Sequence, residues 1–240
     1  MEPLLRDVRL DEGRVPDPAA FPFALPAVRA LVEPLAFHPQ VTFLVGENGS
    51  GKSTILEALA AKLDLDAEGG DTVLTFVERE ADTQLHEALV LARGPRFPAM
   101  RYFLRAESFF NVAQHVDAHE KALEAHGGRP LHGMSHGESF LTLVLERFYP
   151  DGLFLLDEPE AALSPQGCLT LLRRMRELAV DGAQFVVATH SPLLLAYPDA
   201  TIYALGEAGI EPVDYQDTDH YRLTRSFLEA PERYLRQLFA

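Results

Sequence analysis

Residues 46–54 read Gly-Glu-Asn-Gly-Ser-Gly-Lys-Ser-Thr, directly after the apolar run Val41-Thr42-Phe43-Leu44-Val45 and directly before Ile55-Leu56-Glu57-Ala58-Leu59-Ala60. The first run has the character of a buried strand and the second that of a helix. A loop of the form G-x-x-x-x-G-K-S/T in that setting aims backbone N–H groups and the positive end of a helix at one point, where triphosphate oxygens fit. Gly46, Gly49 and Gly51 permit backbone conformations and close approaches that a Cβ would block. Lys52 places a point charge on the outer phosphates, Ser53 offers its hydroxyl to Mg²⁺, and Thr54 extends the polar cradle that Glu47, Asn48 and Ser50 complete. An α/β chain that takes a nucleoside triphosphate is implied.

Composition restricts the setting. A chain of 240 residues suits one large α/β domain with a small insertion, and its 47% hydrophobic and 24% charged content is that of a globular protein. No stretch is apolar for long enough to cross a bilayer, and Met1-Glu2-Pro3-Leu4-Leu5-Arg6-Asp7 lacks the basic and apolar blocks of a signal peptide. Cys168 is the only cysteine, so no disulfide framework exists, and a reducing cytoplasmic setting is expected. The net charge of −15 opposes non-specific binding to nucleic acid, which depends on neutralising phosphates with Lys and Arg.

Along the chain, residues 6–39 are broken by Pro16, Pro18, Pro22, Pro26, Pro34 and Pro39 into short strands, turns and a brief helix expected to wrap the nucleotide-binding edge. Residues 72–78, 85–92 and 100–104 have strand patterns, and a small antiparallel sheet is expected from them. The pattern over 109–125 is helical and polar until Gly127-Gly128-Arg129-Pro130 breaks it, which makes 109–130 a helical insertion. Helical spacing over 137–148 and 166–180 alternates with the apolar runs 153–156 and 184–189, the mark of a parallel sheet with helical crossovers. A hairpin around Gly206-Glu207-Ala208-Gly209 and polar helices through Leu238 form the C-terminal 201–240 segment.

The chemistry-bearing residues follow the same order. Leu153-Phe154-Leu155-Leu156-Asp157-Glu158 is a buried strand ending in two carboxylates. Asp157 is suited to hold Mg²⁺ through water, and Glu158 to orient or deprotonate an attacking water. In Met134-Ser135-His136-Gly137-Glu138-Ser139, Ser135 is placed to cap a helix whose free N–H groups face an anion. His115 and His119, four apart on one helix face with Asp117 and His126 nearby, have metal-ligand spacing without an identifiable third ligand.

At this point the chain resembles the ATP-binding cassette (ABC) ATPases. Their Leu-Ser-Gly-Gly-Gln signature is matched at Ser135 and Gly137 and altered at Met134, His136 and Glu138; the Ser-x-Gly-Glu form is similar to that of the chromosome-maintenance and DNA-repair branch. Pro159-Glu160-Ala161-Ala162-Leu163-Ser164 resembles the D-loop with Ser164 in place of the usual Asp, and Thr189-His190-Ser191-Pro192 resembles the switch-histidine motif, whose imidazole contacts the γ-phosphate. The whole length is similar to small stand-alone ATPases of the superfamily, including 103–111 and 231–235.

The resemblance implies a single ABC-type ATPase domain over 1–240, with a central mostly parallel sheet flanked by helices. It implies ATP and Mg²⁺ as cofactors, catalytic Glu158 and His190, and a head-to-tail dimer in which each ATP lies between one chain's phosphate loop and the other's Ser135 and Gly137. ABC ATPases place a Gln between loop and signature to reach Mg²⁺ and water; Glu107 stands at the matching strand end, with Gln114 as the alternative. Phe21, Phe23 and Phe37 are the aromatic residues upstream of the loop, as adenine partners or core anchors. Three roles stay open: a motor acting on a protein or nucleic acid in maintenance or defence, the energising subunit of a membrane transporter, and a nucleotide-controlled binding module with slow turnover.

Overall fold

The computed structural model describes residues 2–65, 70–71, 84–109 and 135–240. The strand expected at 72–78, most of the insertion expected at 109–130, and the candidates Gln114, His115, Asp117, His119, His126 and Met134 lie outside the described residues.

Among the described residues two sheets form. The main one runs, edge to edge, β10 (Gly209–Pro212), β9 (Thr201–Gly206), β3 (Val41–Val45), β8 (Gln184–Ala188), β7 (Gly152–Asp157), β6 (Met100–Arg105), β4 (Gly70–Asp71). The pairs joining β9, β3, β8, β7 and β6 are parallel, and the edge strands β10 and β4 are antiparallel to their neighbours. Every residue of β3, β7 and β8 is buried, which is why these strands read as unbroken apolar runs instead of alternating. The smaller sheet is antiparallel, with β1 (Leu5–Leu10) between β2 (Leu35–Ala36) and β5 (Leu89–Arg93).

Two expectations are corrected here. Residues 85–92 are not one strand: Leu85–Ala88 is a helical turn whose buried Leu85 and Ala88 share an i, i+3 face, and the strand begins at Leu89. Residues 100–104 belong to the main sheet, parallel to β7, and not to the small antiparallel one. Burial of consecutive Tyr102, Phe103 and Leu104 demands cover on both faces, which only the main sheet supplies.

Helices cover the main sheet on both sides. One core joins alternate residues of the central strands to α4 (His136–Arg147), α5 (Pro165–Val180) and α6 (Pro192–Leu195), with Phe148, Phe154 and Phe185 stacked through it. The other joins the opposite face to α1 (Pro26–Ala30), α2 (Lys52–Lys62), α3 (Leu85–Ala88) and the small sheet. Gln184, fully buried, ties the two sheets: its Oε1 accepts from the N–H groups of Leu4 and Leu5, and its Nε2 donates to the carbonyls of Leu5 and His38. All four capacities of the amide are used, so a polar group at this depth does not destabilise the core. The chain ends in α7 (Asp219–Glu229) and α8 (Pro231–Leu238), neither of which buries a residue.

The register fixes the working edge. Leu44 and Asp157 each pair with Ala188, and Arg105 pairs with Asp157, so the carboxyl ends of β3, β8, β7 and β6 lie in one row. Loops leaving that row converge, as they do at the carboxyl edge of open parallel sheets.

Candidate functional site

The loop of residues 46–51 leaves β3 and enters α2 through Gly51, which has φ 102° and so occupies the left-handed region. The Pro-rich N-terminal stretch reaches this point, since a Cβ on Gly51 would lie 3.4 Å from Leu25 Cδ1 and 3.6 Å from the Ala27 Cβ. Gly46 has φ 149°, and a Cβ there would collide with the carbonyl oxygen of Leu205 on β9. We expect Gly46→Ala to cost at least ~2 kcal/mol through backbone strain and displacement of β9, read as a lower urea midpoint, and to weaken nucleotide binding with it. A variant as stable as wild type would remove the close approach from the account.

Lys52 is 4% exposed and donates from Nζ to the carbonyls of Gly46 (2.8 Å) and Glu47 (3.1 Å), holding the loop closed around its own ammonium group. Burial lowers its pKa, while the carboxylates of Glu158, Asp157, Glu47 and Glu160 hold it up. At the second residue of α2, Ser53 donates from Oγ to Asp157 Oδ1 at 3.0 Å, which joins the phosphate loop to the end of β7.

Asp157 is buried, and burial pushes its carboxyl from 3.8 to about 6 despite the opposing Arg105 guanidinium, whose Nε lies 3.5 Å from Oδ2, and the Ser53 hydroxyl. A carboxylate so little neutralised, with a serine hydroxyl beside it, is a hard-oxygen pair that fits Mg²⁺. Without metal or nucleotide, the folded chain binds a proton at Asp157 more readily than the unfolded chain does. The buried charge therefore costs stability above about pH 6, roughly 3 kcal/mol for about two units, and the cost fades as pH falls toward 4. In chelator, Asp157→Asn is expected to melt above wild type at neutral pH, with the difference closing by pH 4. An equal or lower melting temperature at pH 7 would contradict this.

The next residue, Glu158, has φ 48° and ψ 50°, an uncommon left-handed conformation for a non-glycine residue, and its N–H donates to the Ala188 carbonyl at 2.9 Å. Its side chain is 41% exposed and lies beside His190, whose Nε2 is 3.4 Å from Oε1. The His190 backbone N–H donates to Glu160 Oε1 at 2.6 Å, which clamps the end of β8 to the turn following Glu158. Lys52, Ser53, Asp157, Glu158 and His190 are thus brought to one edge.

Glu107 and the signature residues stand elsewhere. Glu107, just beyond β6, is 83% exposed and accepts from Arg105 Nη2 at 3.1 Å, so it meets the cluster through Arg105. Ser135 starts α4 in a capping box: its Oγ accepts from Glu138 N–H at 3.4 Å, and its own N–H donates to Glu138 Oε2 at 2.9 Å. A Cβ on Gly137 would lie 3.0 Å from the Ala162 carbonyl, so α4 begins against the turn Pro159–Ala162. Among the described residues, neither Ser135 nor Gly137 hydrogen-bonds to the phosphate loop of its own chain. Phe23 and Phe37 are buried core residues, whereas Phe21 is 67% exposed.

Sequence reasoning missed three groups. Arg105 pairs with Glu57 on α2 at 2.7 Å, with Glu107 and with Asp157, a hub that crosses two elements. Glu160 was read only as part of a loop, and His220 on α7 was not singled out, although its Nε2 lies 2.9 Å from His190 Nδ1. A cavity of about 290 Å³ opens beside Gly46 and Glu47, lined also by the β9–β10 hairpin and by Asp219 and His220 at the start of α7.

Two family models match parts of this chain, one described as "AAA domain, putative AbiEii toxin, Type IV TA system" over residues 104–196 and one described as "AAA domain" over residues 30–75. The second span contains the phosphate loop, and the first contains Asp157, Glu158 and His190. The hemin import ATP-binding protein HmuV of Streptomyces coelicolor is 33% identical over 182 residues, 67% of this chain and 63% of that protein. The ABC-type transporter cns4 of Cordyceps militaris is 30% identical over 198 residues, 70% of this chain and 14% of that protein. The chain thus spans less than two thirds of the length of either relative. A solved nucleotide-free ATP-binding cassette from an ABC transporter aligns over 98% of this chain and 99% of its own, at 16% identity and a TM-score of 0.49.

Proposed function

The chain carries an ABC-ATPase-type P-loop NTPase domain, and from that premise we propose that it binds Mg-ATP and hydrolyses it between two chains arranged head to tail. The observation that carries this reading is the meeting of Lys52, Ser53, Asp157, Glu158 and His190 at one sheet edge, while among the described residues the capped N-terminus of α4 makes no hydrogen bond to its own phosphate loop.

In this mechanism the loop N–H groups and Lys52 take the β and γ phosphates, with Lys52 exchanging its two carbonyl partners for phosphate oxygens. Ser53 and Asp157 would hold Mg²⁺, which supplies charge neutralisation between the phosphates. Glu158, partly exposed at the end of β7, accepts the proton of a water in line with the γ-phosphorus; the new P–O bond forms as the bond to the ADP oxygen breaks. His190 donates to the γ-phosphoryl oxygens, and the Ser135 hydroxyl and the α4 N-terminus of the second chain close the site from the opposite side. Glu107 stays a candidate metal or water contact, which would require it to leave Arg105.

The work coupled to hydrolysis is proposed to be a conformational cycle on a macromolecular partner, protein or nucleic acid, in the cytoplasm. The likeness to HmuV favours a second reading, the energising subunit of a membrane transporter. No helix among the described residues is long and apolar enough to cross a membrane. Stimulation of turnover by DNA or RNA would support the first reading, and stimulation only by a membrane partner the second. The shared premise is tested by phosphate release per chain as chain concentration rises at saturating Mg-ATP. A site built by two chains predicts a rate that climbs and then saturates; a rate per chain independent of concentration down to the nanomolar range would contradict it.

A further inference from the structure

His190 is gripped from a direction that hydrolysis by this edge of the sheet does not by itself require. Its Nδ1 lies 2.9 Å from Nε2 of His220, with the two rings 5.0 Å apart at 62°. The first turn of α7 is held in place for this contact. Thr218 caps it, accepting from Tyr221 N–H and donating to the Tyr215 carbonyl, and Tyr215 donates from its hydroxyl to the Pro192 carbonyl at 3.0 Å. The Tyr221 ring packs on Tyr215 at 4.6 Å. Since α7 buries no residue, its docking to the domain rests on this first turn.

The contact holds one hydrogen when both imidazoles are neutral, and the surroundings decide which ring supplies it. His190 Nε2 is buried, lies 3.4 Å from a Glu158 oxygen, and makes no hydrogen bond among the described residues. A bare nitrogen lone pair facing a carboxylate oxygen is repelled, whereas an N–H is attracted. His190 therefore carries its hydrogen on Nε2, its Nδ1 is the acceptor, and His220 Nε2–H is the donor. Burial, followed by the neighbouring His190, lowers the pKa of His220, while Glu47 and Asp219 oppose and Lys52 reinforces that shift. On the His190 side the facing charges are Glu158 and Glu160.

We propose that His220 is the positioning residue of His190, donating to Nδ1 so that the Nε2–H tautomer is held toward the place where the γ-phosphate of bound ATP would lie. This rests on the hydrolytic reading above. It makes the first turn of α7 part of the machinery.

Full-length His220→Ala should lower kcat about 10- to 100-fold, in line with the effect of removing a group that orients a working histidine, while KM for ATP changes less than about twofold. His220→Gln, whose amide N–H can take the place of Nε2–H, should recover most of the loss, and His190→Ala with His220→Ala should be no worse than His190→Ala alone. Wild-type kcat in His220→Ala, or no recovery in His220→Gln, would overturn the proposal. Ring-nitrogen chemical shifts of His190 in the wild-type chain give a readout independent of turnover. An Nε2–H tautomer is expected, becoming a mixture in His220→Ala. An Nδ1–H tautomer in wild type would overturn the assignment even if the chain hydrolysed no ATP, whereas absent hydrolysis with the Nε2–H tautomer in place would sink only the hydrolytic reading.

Discussion

Glu158→Gln is expected to lower the rate of ATP hydrolysis by a factor on the order of 10² to 10⁴, the range for loss of a positioned general base, while leaving ATP bound. The geometry separates the two effects. Glu158 contributes its backbone N–H to the Ala188 carbonyl and its carboxylate to the open side of the site, and the Gln side chain can keep the same shape. Lys52 and Ser53, proposed to meet the phosphates and Mg²⁺, make their hydrogen bonds to Gly46, Glu47 and Asp157, so none of these depends on Glu158. Removing one negative charge from the group that surrounds Lys52 should tighten ATP binding slightly, if it changes at all. Phosphate release under single-turnover conditions and nucleotide titration on the same samples check both halves. Turnover within a few-fold of wild type would remove Glu158 from the mechanism.

Lys52→Ala is expected to act on binding itself. The ammonium group is buried and lies among Glu47, Asp157, Glu158 and Glu160, so its removal leaves an acidic pocket facing a polyanion. Two carbonyls that now accept from Nζ would also lose their partner, and the loop would lose the clasp that keeps it closed. A hydrogen bond to a charged group contributes roughly 1.5–3 kcal/mol, so a loss of about 10- to 100-fold in ATP affinity follows, with turnover falling further where, as proposed, the same charge stabilises the transferring phosphoryl group. Titration with a fluorescent nucleotide measures the first term. Unchanged affinity would mean that Lys52 serves the loop's shape alone.

The phosphate loop was legible in the sequence because its constraints are local. Glycines at Gly46 and Gly51 are demanded by φ values that a Cβ resists, and strand, loop and helix are contiguous. The ends of β7 and β8 were legible for a similar reason: unbroken apolar runs stop where the sheet edge meets solvent, and Asp157 with Glu158 and His190 stand just past those stops. The placement of 100–104 was misread because its flanking turn signals suit a hairpin equally well, and only burial on both faces distinguishes a central strand. Arg105 and His220 were out of reach. Arg105 works through partners on α2 and β7, and His220 meets His190 from 30 residues away along a helix that otherwise reads as plain solvated surface. No spacing rule connects such pairs; the fold does.

The solution mass of Glu158→Gln, with and without Mg-ATP, tests most directly the claim that two chains share each ATP. The account predicts a monomer without nucleotide and a dimer with it, and a monomer under both conditions when Ser135→Arg is added, since a long cation at the α4 N-terminus blocks the second half of the site. A Glu158→Gln chain that binds ATP tightly and stays monomeric at micromolar concentration would contradict the account, leaving a phosphate site complete within one chain.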